Sequence, residues 1–312
     1  MMGTCIISFD CEGKWGLMDN LNAYHDVHFT SENINKAYKG ILDALQEKNF
    51  AATFAFVGAF TMKGDYIKDK WLSRLLNSEP HQSWLKNFLN HENVFNDSSW
   101  FCPELISLVR SYKNNPHEIC SHGFTHLPWD TKNIEALLLE IDGILEWYRI
   151  HSVSSNTFIF PRNIIQNKEL LEKLEITAYR NKAPYKSSIP GLKRLKQLFD
   201  EFNLNVKSSP VITNLQTPFP IPGEIFLNWR SGIRRIIPIN LTVQRFESAL
   251  DHAIKNNGVI NLWSHPHNFI SGDRQLELFH SCLGVLSKKV QLGDMQILTQ
   301  EEYVKKNYRE SP

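Results

Sequence analysis

Short apolar runs alternate with helix-patterned stretches along most of this 312-residue chain, and that alternation leaves few folds open. TCIISF (4–9), AATFAFVG (51–58), EICSHG from Glu118, TFIFPR from Thr157, EITAYR from Glu175 and GVINLWSH from Gly258 have the composition of buried strands. Between several of them lie stretches with helical periodicity: 32–50, NIEALLLEIDGILEWYRI from Asn133 and VQRFESALDHAIKN from Val243. Strands separated by helices form parallel sheets, either closed as a barrel or doubly wound. No repeat, low-complexity tract or linker divides the chain, so a single domain over 1–312 is expected. Two stretches fit the alternation poorly. One, at about 61–103, contains Trp71, Trp84 and Trp100 and is expected as an aromatic-rich insertion; the other, 182–223, is rich in proline. Long connections of this kind serve as lids or binding loops, or as plain packed insertions.

Residues with chemical capacity gather where the strands end. In SFDCEG (8–13), Asp10 and Glu12 stand two apart at the end of the first strand, where two negative charges repel unless a cation, a proton or a basic group lies between them. In SHGFTH (121–126), His122 and His126 have a spacing that lets both imidazoles serve one metal ion. Two imidazoles and one carboxylate leave a coordination position open for water, and a second carboxylate can take that water's proton. One acid of SFDCEG is thus expected to bind metal and the other to act as base. NLWSHPHN (261–268) places His265 where it can protonate a leaving amine, while His267 reads as a solvated loop residue. FIFPRN (158–163) places Arg162 where a guanidinium can hold the base carboxylate ionised.

A formal net charge of +1 gives no bulk attraction to nucleic acid or anionic lipid. Five cysteines without a CxxC pair suit free thiols in a reducing compartment. The N-terminal residues fit neither a secretion signal nor a membrane anchor, and no apolar run has transmembrane length, so the expected location is the cytoplasm.

The ordered series SFDCEG, SHGFTH, FIFPRN and NLWSHPHN resembles the motifs of the polysaccharide deacetylases, the NodB-homology group of carbohydrate esterase family four. The resemblance implies an α/β fold, a distorted (β/α) barrel of about seven strands with inserted loops, and a divalent metal, zinc foremost, held by an acid and two histidines. It implies hydrolysis of N-acyl groups on amino sugars. Matched residue by residue, Asp10 takes the base position, His122 and His126 the histidine ligands, Arg162 the base-orienting arginine and His265 the general acid. The family's usual adjacent aspartates are here split by Cys11, which makes Glu12 the acidic ligand. Trp129, Asn163 and Trp229 are candidate substrate contacts; for Trp229 an aromatic wall beside the acid histidine and a core position are equal accounts. The expected substrate is a nucleotide- or lipid-linked amino sugar of surface-polysaccharide synthesis. Hydrolysis of another amide or a cyclic imide, and glycan binding without catalysis, are the alternatives.

Overall fold

The computed structural model describes residues 2–91, 93–182, 201–204, 206–211 and 217–307. Its strands are β1 (Gly3–Cys11), β2 (Thr53–Phe56), β3 (Glu118–Ser121), β4 (Thr157–Phe158), β5 (Ala178–Arg180), β6 (Phe219–Ile221), β7 (Ile225–Phe226), β8 (Val259–Ser264) and β9 (Met295–Leu298). They pair in the order β6-β5-β4-β3-β2-β1-β8-β7, with β9 added to β1, and every pairing is parallel.

Only Pro222, Gly223 and Glu224 separate β6 from β7. A parallel neighbour needs a crossover of a dozen residues or more, so these are two halves of one bent strand. The first half bonds β5 and the second β8, which curls the sheet into a barrel of seven strand positions, as the alternation implied. β9 bonds Gly3–Ile6 on the edge of β1 that Ser8–Cys11 give to β2, so it thickens the N-terminal end without entering the mouth.

All nine residues of β1 are buried, because one face meets helices and the other the barrel interior. Cys5, Ile7, Phe9 and Cys11 join the outer core with the helices, and Ile6 packs inside against Ala178, Phe219, Ile221 and Val259. The period of two then puts Ser8 and Asp10 on the inner face above Ile6. The strand runs two residues beyond Phe9, so Asp10 is fixed in the sheet and only Glu12 stands beyond it.

Helix Ser31–Glu47 forms where the pattern placed it. Thr30 caps it by accepting from the Asn33 amide at 3.2 Å, and Ile34, Tyr38, Ile41, Leu42 and Leu45 make its buried stripe. Each such side chain contributes about 1.5–3 kcal/mol by burial. Helices Ile134–His151, Ile239–Asn256 and Gln275–Gln291 cover the barrel in the same way. The 61–103 stretch is a run of short helices whose Trp71 and Trp100 are buried, with Trp100 edge-on to Trp15. Two of its tryptophans therefore belong to the core, and only Trp84 approaches the barrel mouth. The proline-rich stretch lies largely outside the described residues. All five cysteines are free and buried. Among the described residues no helix is long and apolar enough to cross a membrane.

Candidate active site

Because every barrel strand is parallel, all C-terminal ends open on one side, where fixed strand ends and variable loops meet. They surround a cleft of about 500 Å³. Asp10 projects into it from β1 and Glu12 from just past its end, His122 and His126 from the loop after β3, Asn163 from the turn after β4, and His265 and His267 from beyond β8.

Glu12 is the centre of this cluster. Its Oε2 lies 2.9 Å from His126 Nε2 and 3.3 Å from His122 Nε2. On its other side, Oε1 lies 3.4 Å from His265 Nε2 and 3.9 Å from His267 Nδ1. Gly16 leaves room for this carboxylate, since a Cβ there would stand 2.0 Å from Glu12 Cδ. Burial pushes the Glu12 carboxyl up, but His265 and His126 outweigh it and hold the group well below its ordinary value.

The tautomers show what these groups fit. His122 Nδ1 lies 2.8 Å from the Ile159 carbonyl oxygen, to which it donates; in the neutral ring that a metal ligand requires, Nε2 then presents its lone pair toward Glu12 Oε2. A lone pair facing a carboxylate is repulsive unless a cation lies between. His126 Nε2, although 2.9 Å from the same oxygen, is buried without a hydrogen-bond partner, as is its Nδ1. Burial holds the His126 imidazole below its ordinary value, and a neutral ring is what a ligand requires. Ligands at about 2.0–2.1 Å from a tetrahedral zinc stand roughly 3.3 Å apart. The spacings from Glu12 Oε2 to His122 and His126, 3.3 and 2.9 Å, are near that value, and the three donors lie within 4.8 Å of one another, which fits a divalent cation.

The loop bearing both histidines is fastened from behind. Glu140, fully buried on helix Ile134–His151, accepts from the amides of Phe124 at 2.9 Å and Thr125 at 3.0 Å, and from Thr125 Oγ1 at 2.5 Å. His81 Nε2, from the aromatic insertion, is 3.0 Å from Glu140 Oε1, the oxygen that also accepts from Thr125 Oγ1. This grip sustains a left-handed conformation at His126, with φ of 63°, and at Gly123, with φ of 85°. A Cβ on Gly123 would stand 2.8 Å from Pro161 Cγ, so only glycine fits there.

Asp10 is gripped by an arginine other than the expected one. Arg180, the last residue of β5, donates from Nη1 to Oδ1 at 2.6 Å and from Nη2 to Oδ2 at 2.7 Å. Its Nη2 also donates to Asn163 Oδ1 at 2.9 Å, and its guanidinium lies over the Trp263 ring at 4.2 Å. Burial pushes the Asp10 carboxyl up, but Arg180 and then His122 outweigh it, leaving the group ionised below its ordinary value. Arg162 instead pairs with Asp19 at the rim and stacks over Trp84 at 5.2 Å. β4 ends at Phe158, and a left-handed turn with φ of 59° at Arg162 carries that residue out of the sheet, whereas Arg180 remains within it.

Two further expectations change. Trp129 is fully buried between Phe158 and Phe160 and does not line the cleft. His267 is buried rather than solvated, and burial, aided by His265, pushes its imidazole down to about 3. Trp229 and Asn163 do line the cleft. His265 is partly exposed and lies 3.9 Å from Asp10 Oδ2. Arg180 was legible as an arginine closing the strand-like EITAYR, a polar residue ending an apolar run.

A parallel barrel with a carboxylate and two imidazoles at its mouth, and an ionised aspartate beside them, defines a hydrolase-type site. The sequence profile of the polysaccharide deacetylases matches residues 24–180, half of the chain, and the chain belongs to that family. It is accordingly a deacetylase-type hydrolase. That match contains His122, His126 and Arg180; Asp10, Glu12 and His265 join them through the fold. A Mycobacterium smegmatis structure assigned as a polysaccharide deacetylase is similar at 13% identity and a TM-score of 0.61, over 97% of this chain and 89% of that one. One from Pseudomonas aeruginosa PAO1 with the same assignment is similar at 12% identity and 0.53, over 99% and 92%. The 4-alpha-glucanotransferase from Thermococcus litoralis also shares the fold, at 15% identity and 0.53, over 98% of this chain and 41% of that one. These likenesses are of fold alone, since a glucanotransferase has it too. No curated protein matches the chain.

Proposed function

We propose that the protein is a divalent-metal-dependent hydrolase that removes an N-acyl group, acetyl foremost, from an amino sugar joined to a phosphate-bearing carrier. The observation that carries the chemistry is the separation of roles around two acids: Glu12 faces two imidazoles with one oxygen, while Asp10 is held ionised by Arg180 a few ångströms away. A cation bound by Glu12, His122 and His126, with zinc favoured by the mixed imidazole and carboxylate donors, supplies Lewis acidity to the amide carbonyl and to a water. Asp10 accepts the proton of the attacking water as its oxygen bonds to the carbonyl carbon. Protonated His265 gives its Nε2 proton to the sugar nitrogen as the carbon–nitrogen bond breaks, leaving a carboxylic acid and a free amine. Arg180 keeps Asp10 charged and oriented throughout, and Asn163 holds Arg180.

The carrier is inferred from the cleft's far wall. Arg234 is matched by Glu201, its Nε donating at 2.6 Å, but Arg245 has no hydrogen-bond partner among the described residues and its Nε is buried. Arg230, Arg234 and Arg245 share the single Glu201 carboxylate electrostatically, so positive charge is in excess on this wall, and a guanidinium lining the cleft without a hydrogen-bond partner suits a phosphate or another anion. Trp229 offers an aromatic face for the sugar. The test is acyl release from N-acetylated amino sugars with and without a phosphate. Arg245→Ala is expected to raise KM for the phosphorylated substrate by about 10- to 100-fold, the worth of a charge-assisted hydrogen bond. KM for the uncharged sugar should stay within roughly threefold. Equal changes for both substrates would remove the carrier from the account.

A further inference from the structure

The mechanism leaves one side of Glu12 unexplained. Two histidines face Oε2, and two others, His265 and His267, face Oε1. One ligand atom from each of Glu12, His265 and His267 lies within 4.8 Å of the others, so this second trio meets the same geometric condition as the first. The two imidazole rings are stacked 4.9 Å apart and nearly parallel, at 18°, so both lie along the same side of the carboxylate.

His267 is the informative member. It is 94% buried by its 6% exposure, packed 5.5 Å from the Phe29 ring and edge-on to Trp229. Packing alone would account for an aromatic ring there. It does not account for a nitrogen, because Nδ1 is buried without a hydrogen-bond partner and lies 3.9 Å from Glu12 Oε1. Burying a polar atom without a partner is unfavourable, and a phenylalanine would avoid that. An aromatic ring with an unsatisfied nitrogen beside a carboxylate has the chemistry of a metal ligand.

We propose that Glu12 can bridge two divalent cations, a first beside His122 and His126 and a second beside His265 and His267, and that filling the second position inhibits the enzyme. The inference rests on the reading of Glu12, His122 and His126 as the catalytic ligands. Inhibition follows from the atom used. His265 Nε2, which faces Glu12 Oε1 at 3.4 Å, is the nitrogen assigned to protonate the departing amine. Once its lone pair is bound to a cation, it cannot take up the proton it has to deliver. The second position is the weaker one because His267 Nδ1 stands 3.9 Å from the shared carboxylate, beyond the roughly 3.3 Å spacing of zinc ligands. Asp10 Oδ2, 3.9 Å from both His122 Nε2 and His265 Nε2, adds negative charge beside both positions.

The test is a titration of chelator-stripped protein with zinc and, in parallel, with cobalt, whose visible absorption reports its ligands. The wild-type protein is expected to bind two cations, the second at least about tenfold more weakly. Acyl release should peak near one equivalent and fall at least about tenfold as the second fills. In His267→Asn, or His267→Gln should the first variant melt early, the second binding step and its cobalt spectrum should disappear. The ratio of activity at one equivalent to that at ten should then approach unity. A wild-type protein that saturates at one cation overturns the second position and leaves the hydrolase reading intact; one that binds none overturns the hydrolase reading itself. Two cations with undiminished inhibition in both His267 variants would place the second ion elsewhere and also overturn the proposal.

Discussion

Replacing Asp10 with asparagine is expected to lower kcat by about 10²- to 10⁴-fold, the usual worth of a positioned general base, with bound metal unchanged. The expectation follows from where the charge lies. Asp10 takes two hydrogen bonds from Arg180 and stands 3.9 Å from the Nε2 atoms of His122 and His265, without being among the closest donors to either. An amide keeps the volume but loses the proton-accepting charge, so turnover should fall far more than substrate binding. The pH dependence has a definite sign. The Asp10 pKa is depressed, since Arg180 and His122 outweigh burial, so the acid limb due to this base should lie below the ordinary aspartate value of about 4. The stability that ionised Asp10 contributes is present above that unfolded-state value and is lost as pH falls through the lower folded-state one. A steady-state pH profile checks both, and an Asp10→Asn enzyme with near wild-type kcat would remove Asp10 from catalysis.

The second large effect separates two arginines. Arg180→Gln removes one partner of a fully buried ion pair and leaves Asp10 uncompensated, which costs about 3–5 kcal/mol. Arg162→Gln breaks a rim pair with the half-exposed Asp19 and should cost no more than about 1 kcal/mol. Urea unfolding of the two variants measures the difference directly. The double variant Asp10→Asn, Arg180→Gln should recover part of the Arg180→Gln loss, because no charge then remains buried alone. Equal destabilisation by the two single arginine substitutions would contradict the placement of Arg180.

These two arginines also mark how far the sequence could be read. The barrel was legible because apolar runs alternate with helical patterns, and the ligand cluster because Asp10, Glu12, His122 and His126 follow strand-like runs at metal-ligand spacings. Arg162 and Arg180 both follow such runs, and sequence spacing alone does not tell a residue still in the sheet from one a few positions past it. The backbone decides: β4 ends at Phe158 and turns left-handed at Arg162, while β5 continues through Arg180. Trp129 was misplaced for a related reason, since its packing against Phe158 and Phe160 depends on a strand distant in sequence. Glu140 and His81, which hold the histidine loop from behind, lie on elements remote from any strand end, and only the tertiary fold brings them there.

The most direct test of the central claim is metal content measured together with acyl release, in wild-type protein purified without chelator and in His126→Ala. The account predicts at least one divalent cation per wild-type chain, acetate released from an N-acetylated amino sugar, and loss of both in a His126→Ala protein that remains folded by circular dichroism. Stripping the wild type should abolish release, and refilling should restore it. A folded wild-type protein that takes up no cation under any loading, or that releases acetate equally well when stripped, would contradict the assignment of Glu12, His122 and His126 as ligands of a catalytic metal.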